Sequence, residues 1–247
     1  MKTKKNGKTL RVAGLLLALV LVTSCFVGGT FAKYVTSDGG MDEARVAKFG
    51  VTVTATGDVF AKEYDAKDPE LLDYAGHVIT KSVISSDDYK RVAPGTKKDN
   101  ALTVSVTGTP EVAVEVKYEA HVTFTTDHLN PVDNWKDADG KYYCPLVITV
   151  NDTKYDGLKY NSSDEFKAAV ESAINNLTKK YPANTDLSAS ASKGVAISWE
   201  WPFEVTKTDG KVNHDIDVKD TYLGDQAAEG KAATVGIVVA TTVTQID

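Results

Sequence analysis

The chain has almost no cysteine and little histidine and methionine, and beyond its opening residues cations are outnumbered by anions. Only Cys25 and Cys144 occur in 247 residues. With the leader removed as argued below, Cys144 stands alone, which excludes an internal disulfide and leaves packing to hold the fold. The four histidines, at positions 77, 121, 128 and 214, are scattered, and there is no HExxH, so the familiar zinc-protease spacing is missing. Serine-hydrolase elbows and phosphate-cradling glycine loops are missing too. Five of the 28 basic residues and none of the 34 acidic ones fall within the first 32, so the remainder holds 23 basic and 34 acidic residues, a formal charge of −11. Such a body argues against nucleic acid or an anionic membrane as partner, and for solubility outside the cell.

What is present begins with Lys2, Lys4, Lys5, Lys8 and Arg11, followed by an uncharged run from Val12 to Ala32 that ends in the small residues Gly28, Gly29, Thr30 and Ala32. A basic head, apolar middle and small-residue exit read as a secretory signal peptide over residues 1–32, cut between Ala32 and Lys33. On this reading the chain meets a membrane only through that peptide, before cleavage. Two rival readings remain. Val22, Thr23, Ser24 and Cys25 form a tolerable lipoprotein box in which Cys25 would be acylated. The 21 uncharged residues could also just span a hydrocarbon core, although two glycines and a threonine near the exit weaken that reading.

Residues 33–44, KYVTSDGGMDEA, are short, polar and broken by Gly39 and Gly40. They cannot bury much alone and read as a flexible N-terminal arm. The 203 residues that follow, 45–247, suffice for one β domain with a sizeable core. From Arg45 to Thr56, Ala47, Phe49, Val51, Val53 and Ala55 alternate with polar residues, predicting a half-buried strand. Val112, Val114, Val116, Tyr118, Ala120, Val122 and Phe124 share one parity, with Glu115, Lys117, Glu119, His121 and Thr123 on the other. Such clean alternation predicts antiparallel sheets with one face on the core and one in water. Cys144 shares its parity with Leu146, Ile148 and Val150 and reads as a small buried hydrophobe.

From Ser162 to Tyr181 the period changes. Phe166, Val170, Ala173, Ile174, Leu177 and Tyr181 fall at helical spacing, Ser162 and Glu165 make a capping box, and Pro182 stops the run. One inserted amphipathic helix is expected over about 163–181. Val195, Ile197, Trp199, Trp201 and Phe203 then alternate as a further strand whose tryptophans belong in the core, with an exposed sugar-binding strip as the rival. Asp209 and Gly210 suit a hairpin turn. Val218 to Gly230 reads as loop, and Ala233 to Ile246 as a last long strand. Asp133, Asp137 and Asp139 crowd one loop. Fitting Asp137, Asp139 and Gly140 to a calcium loop puts Trp135 first and Leu146 last, where carboxylates belong, so weak Ca²⁺ binding is the most this loop offers and a solvated turn is preferred.

The segments GGTFAKY, ARVAKFGVTVTATG, APGT at 93–96 and GTPEVAVEVKYEA resemble the TasA and camelysin family of secreted bacterial proteins, clearly over residues 26–125 and more loosely beyond. The resemblance implies a jelly-roll-like β-sandwich, cleavage by a dedicated SipW-type signal peptidase, and an extracellular matrix or cell-surface location. It also implies subunits that polymerise with their own copies into biofilm fibres, the arm of one adding as a strand to the next. Tyr34, Val35, Met41 and Ala44 would then set the register. Camelysin-like relatives are classed as metallopeptidases, and a monomeric cell-surface adhesion lipoprotein is a further alternative. No catalytic, cofactor or metal residue is assigned.

Overall fold

The computed structural model describes residues 45–65, 75–77, 81–85, 90–125, 132–188, 194–203, 205, 210, 211 and 213–246. Ala47–Asp247 form one compact unit. In chain order the strands are β1 (Val51–Thr56), β2 (Glu63–Asp65), β3 (Lys81–Ile84), β4 (Lys97–Gly108), β5 (Val114–Thr123), β6 (Val147–Val150), β7 (Thr153–Asp156), β8 (Lys179–Tyr181), β9 (Val195–Glu200) and β10 (Gly236–Gln245). Helix α1 (Ser163–Asn175) precedes β8, and α2 (His214–Ala228) precedes β10.

Every pairing is antiparallel, as the alternating strands require. One sheet has the order β1-β4-β9-β6-β7, a second β10-β5-β8, and β2 pairs with β3 as a separate ribbon. The protein is thus an all-β antiparallel sandwich with helical additions. Val104 and Val106 of β4, Ile148 and Val150 of β6, and Val195, Ile197 and Trp199 of β9 supply one inner layer. Val114, Val116, Tyr118 and Val122 of β5 supply the other, on the parity that the sequence sets. At about 25 cal/mol per Å² of apolar area removed from water, these faces dominate the stability.

Helix α1 forms where the capping box predicts. Ser162 Oγ accepts from Glu165 N at 3.2 Å, and Glu165 Oε2 accepts from Asn161 N at 2.9 Å. Phe166, Val170 and Ile174 form its fully buried stripe. The helix ends at Asn175, however, rather than near 181. Two asparagines close it, and Tyr181 reaches the core from β8, paired with Val114.

Three further expectations are corrected. The stretch read as loop from Val218 contains most of α2, which turns Ile216, Asp220 and Leu223 inward at helical spacing. Phe203 is 64% exposed, because β9 stops at Glu200 and Pro202 turns the chain away, while Trp199 and Trp201 are buried as core residues. The strand expected from Arg45 begins only at Val51, with Phe49 41% exposed. The Asp209–Gly210 turn lies largely outside the described residues; Gly210 itself has φ +79°.

Candidate functional site

The two flanks of β5 are finished in different ways. On one, β8 pairs with Val114–Val116 and stops. Beyond it, the N–H groups of Tyr118, Ala120 and Val122 donate to Thr178 Oγ1 at 3.1 Å, Asn175 Oδ1 at 2.8 Å and Glu171 Oε1 at 2.8 Å. Side chains of α1 and the residues after it therefore stand in for a strand. On the other flank β10 pairs along its whole length, Gly236 with Thr123 through Gln245 with Val114.

The outer edge of β10 receives no such treatment. Since Tyr118, Ala120 and Val122 point their N–H groups toward α1, the intervening residues of β5 bond β10 through Val238, Ala240 and Thr242. The alternation of an antiparallel ladder then aims the backbone groups of Ile237, Val239, Thr241 and Val243 outward. Among the described residues none of them has a further backbone partner. Their side chains face the inner layer, beside Val122, Ala120, Tyr118 and Val116. Thr241 Oγ1 is buried there without a hydrogen-bond partner among the described residues.

Strand β1 repeats the pattern at the edge of the larger sheet. Val53 pairs with buried Val106 and Ala55 with buried Val104, so Val51, Val53 and Ala55 share the inner side of the sheet. The backbone of Val104 is turned toward Gly194, on the β9 side, and that of Ala101 toward Gly57. The ladder phase therefore leaves the backbone groups of Val51, Val53 and Ala55 pointing outward. Val53 is 42% exposed although its ladder partner is buried, so the inner side of β1 lacks a covering layer.

Helix α1 packs against β5, β6 and β7, which places the helix-capped side of β5 over the β6–β7 end of the larger sheet and β10 toward the β1 end. The β4–β5 connection ties the segment before β1 and the residue after β10 together. Lys48 N donates to Glu111 Oε2 at 2.8 Å, Glu111 N donates to Lys48 O at 2.9 Å, and Ile246 N donates to Ala113 O at 2.9 Å. Its other carbonyls point the opposite way, Pro110 O to Asn184 N and Gly108 O to Leu187 N.

Sequence makes the contrast sharper. VTVTAT of β1 and GIVVATTVTQ of β10 contain no charge and no proline. The opposite edges are three and four residues long and carry Lys179 and Lys180 in β8, Lys154 and Asp156 in β7. Short, charged edges resist pairing with another chain; long uncharged ones invite it.

The residues expected to carry sites fall as follows. Cys25, Ala32, Lys33, Tyr34, Val35, Met41, Ala44 and His128 lie outside the described residues. Asp137 Oδ1 accepts from Asp139 N at 3.1 Å and Lys141 N at 3.0 Å, while Oδ2 pairs with Lys219 Nζ at 2.9 Å. The Lys219 hydrogen bond holds its carboxyl below the ordinary range. Asp133 instead caps Trp135 N at 3.0 Å. Among the described residues no three His, Cys, Asp or Glu side chains converge as a metal group, so Asp133, Asp137 and Asp139 are not assembled as one. His121 lies 3.8 Å from Glu171 and His214 3.5 Å from Asp217, both at the surface. Cys144 is buried, and burial pushes its thiol up to about 12.

Sequence reasoning missed the buried carboxylate of Asp220, which accepts from Tyr143 Oη at 2.6 Å and Trp201 Nε1 at 3.0 Å. It also missed the α1 side chains that cap β5. The charge-free run at Gly236–Gln245 was the one legible signal of a bare edge. Comparison of the chain with family models, with curated proteins and with solved structures found no match.

Proposed function

We propose that this chain is a secreted structural protein whose body polymerises into extracellular fibres. The arm at residues 33–44 of one copy adds as a β-strand to the body of the next. The observation that carries this reading is the pair of uncharged sheet edges, β1 and β10, with incompletely covered apolar side chains on their inner sides. An entering strand would find outward backbone groups on alternate residues of either edge. Each hydrogen bond adds about 0.5–1.5 kcal/mol net, and alternate side chains would cover Val53 or Val239. The leader and the acidic body favour export, and the family resemblance implies a SipW-type signal peptidase and a matrix or cell-surface location.

The test is deletion of residues 33–44 from mature protein beginning at Lys33, followed by electron microscopy under conditions in which the intact form makes fibres. Loss of fibres with an unchanged β-sheet circular dichroism spectrum supports the proposal, and undiminished fibres refute it. Chelator-sensitive proteolysis by the purified protein would favour the peptidase alternative instead.

A further inference from the structure

Helix α2 is seated on the body by three inward residues, Ile216, Asp220 and Leu223, of which one is acidic. Asp220 is only 7% exposed, and both hydrogen bonds to its carboxylate come from neutral donors, Tyr143 Oη and Trp201 Nε1. Its sequence neighbour Lys219 is turned to Asp137, 2.9 Å away, with Nζ 5.3 Å from the centroid of the Tyr143 ring. Among the described residues no ion pair reaches Asp220. A carboxylate removed from water without a cation strongly favours its neutral form.

The surrounding hydrogen bonds accommodate that neutral form. The Tyr143 hydroxyl has a second acceptor, Ile216 O, at 3.4 Å. When Asp220 takes a proton from solvent, its new O–H donates to Tyr143 Oη, the Tyr143 proton turns to Ile216 O, and Trp201 Nε1 keeps the other carboxyl oxygen. Every polar atom of the group is then satisfied without a buried charge. The floor is firmly held, since Trp201 N donates to Thr96 O and Gly95 N donates to Trp201 O, both at 2.8 Å.

We propose that Asp220 is a proton-operated latch, fastening α2 to the Tyr143–Trp201 floor when protonated and loosening it when ionised. The groups facing it are Asp217 and Lys219 from α2, with His214 at the start of that helix, and Tyr143 and Asp137 from the segment before β6. Trp201, beyond β9, adds no titrating group. Burial raises the carboxyl above its ordinary value, the Tyr143 and Trp201 hydrogen bonds oppose the shift, and Asp217 adds to it. A raised carboxyl stabilises the docked helix fully below the ordinary aspartate range, and this contribution disappears as pH rises through the folded-state value. Helix α2 runs through Glu229–Val235 into β10, so the latch holds the element that precedes the bare edge. The inference concerns the body alone and stands whether or not fibres form.

The test is hydrogen–deuterium exchange on the mature protein from pH 3 to pH 8, corrected for intrinsic exchange. Protection of the α2 amides should fall with rising pH, by one factor of ten for each unit by which folding raises the carboxyl, while β5 amides stay protected. Asp220→Asn should flatten the α2 profile, and His214→Ala should leave it unchanged. Should Asp220→Asn fail to fold, Asp217→Asn removes a neighbouring negative charge that raises the Asp220 carboxyl and should move the transition to lower pH. A wild-type α2 profile without pH dependence, the same fall in a folded Asp220→Asn, or a profile abolished by His214→Ala overturns the proposal. So does an Asp217→Asn transition that stays in place.

Discussion

Glu171 Oε1 accepts a hydrogen bond from the backbone N–H of Val122 at 2.8 Å, so a helix side chain does what a neighbouring strand would do. Val122 is fully buried and its N–H has no water to turn to. Glu171→Ala should therefore destabilise the body by about 1–3 kcal/mol, the cost of leaving a buried donor unmade. Glu171→Gln, which keeps an acceptor in place, should lose much less. Urea midpoints for the two variants check this, and equal midpoints would mean that the helix cap contributes nothing.

The bare flank makes the opposite prediction about where charge is tolerated. Val53→Lys and Val239→Lys each place an ammonium on the inner side of an edge strand, a device that discourages strand addition. Both positions are incompletely covered, so the monomer should keep its fold, with a circular dichroism spectrum like that of the wild type. Fibre elongation measured by light scattering should fall by about an order of magnitude or more, since 1.4 kcal/mol of lost binding is already tenfold. Lys154→Val on β7, at the far edge, should leave the elongation rate of the other flank unchanged. Normal elongation by both lysine variants would move the acceptor elsewhere on the body.

How far the fold was legible depended on whether one period dominated. β5 was readable because seven alternate residues from Val112 to Phe124 are apolar or small and their neighbours are polar. The end of α1 was not, because Leu177 and Tyr181 continue a helical spacing and yet one of them serves a strand. Helix α2 was hidden for a different reason. Its inward stripe is Ile216, Asp220 and Leu223, with a carboxylate where a hydrophobe is expected and Gly224 within the run. The alternation of β1 correctly named its inner residues but could not say whether a second layer covers them, since strand order depends on contacts far apart in sequence. The same limit concealed the two bare edges, β1 and β10, which lie some 180 residues apart in the chain.

Asp137 should make stability depend on pH in the sense opposite to Asp220. Its hydrogen bond and ion pair with Lys219, together with the N–H groups of Lys141 and Asp139, hold the carboxyl below its ordinary value. A depressed carboxyl contributes stability above the ordinary aspartate range and loses it as pH falls through the folded-state value. Asp137→Asn should accordingly be less stable than wild type at neutral pH, with the gap closing on acidification. Thermal melts at pH 7 and at pH 3 read this directly, and a gap that widens in acid would contradict the assignment.

Cys144 should be silent toward thiol reagents in the folded protein. It is fully buried beside Leu146, and desolvation pushes its pKa to about 12, so almost no thiolate exists near neutrality. Maleimide added to native protein at pH 7.5 should label it only at the rate of opening, and addition of denaturant should bring labelling to completion. Because the reagent reports each excursion that exposes the core, its rate measures how often the β6 region opens. Cys144→Ser, nearly the same size but carrying a hydroxyl, should cost about 1–3 kcal/mol if that group finds no partner. Cys144→Ala should cost less than the serine variant if polarity, rather than lost volume, sets the penalty. Rapid labelling of the native protein would place this thiol somewhere wetter than the core.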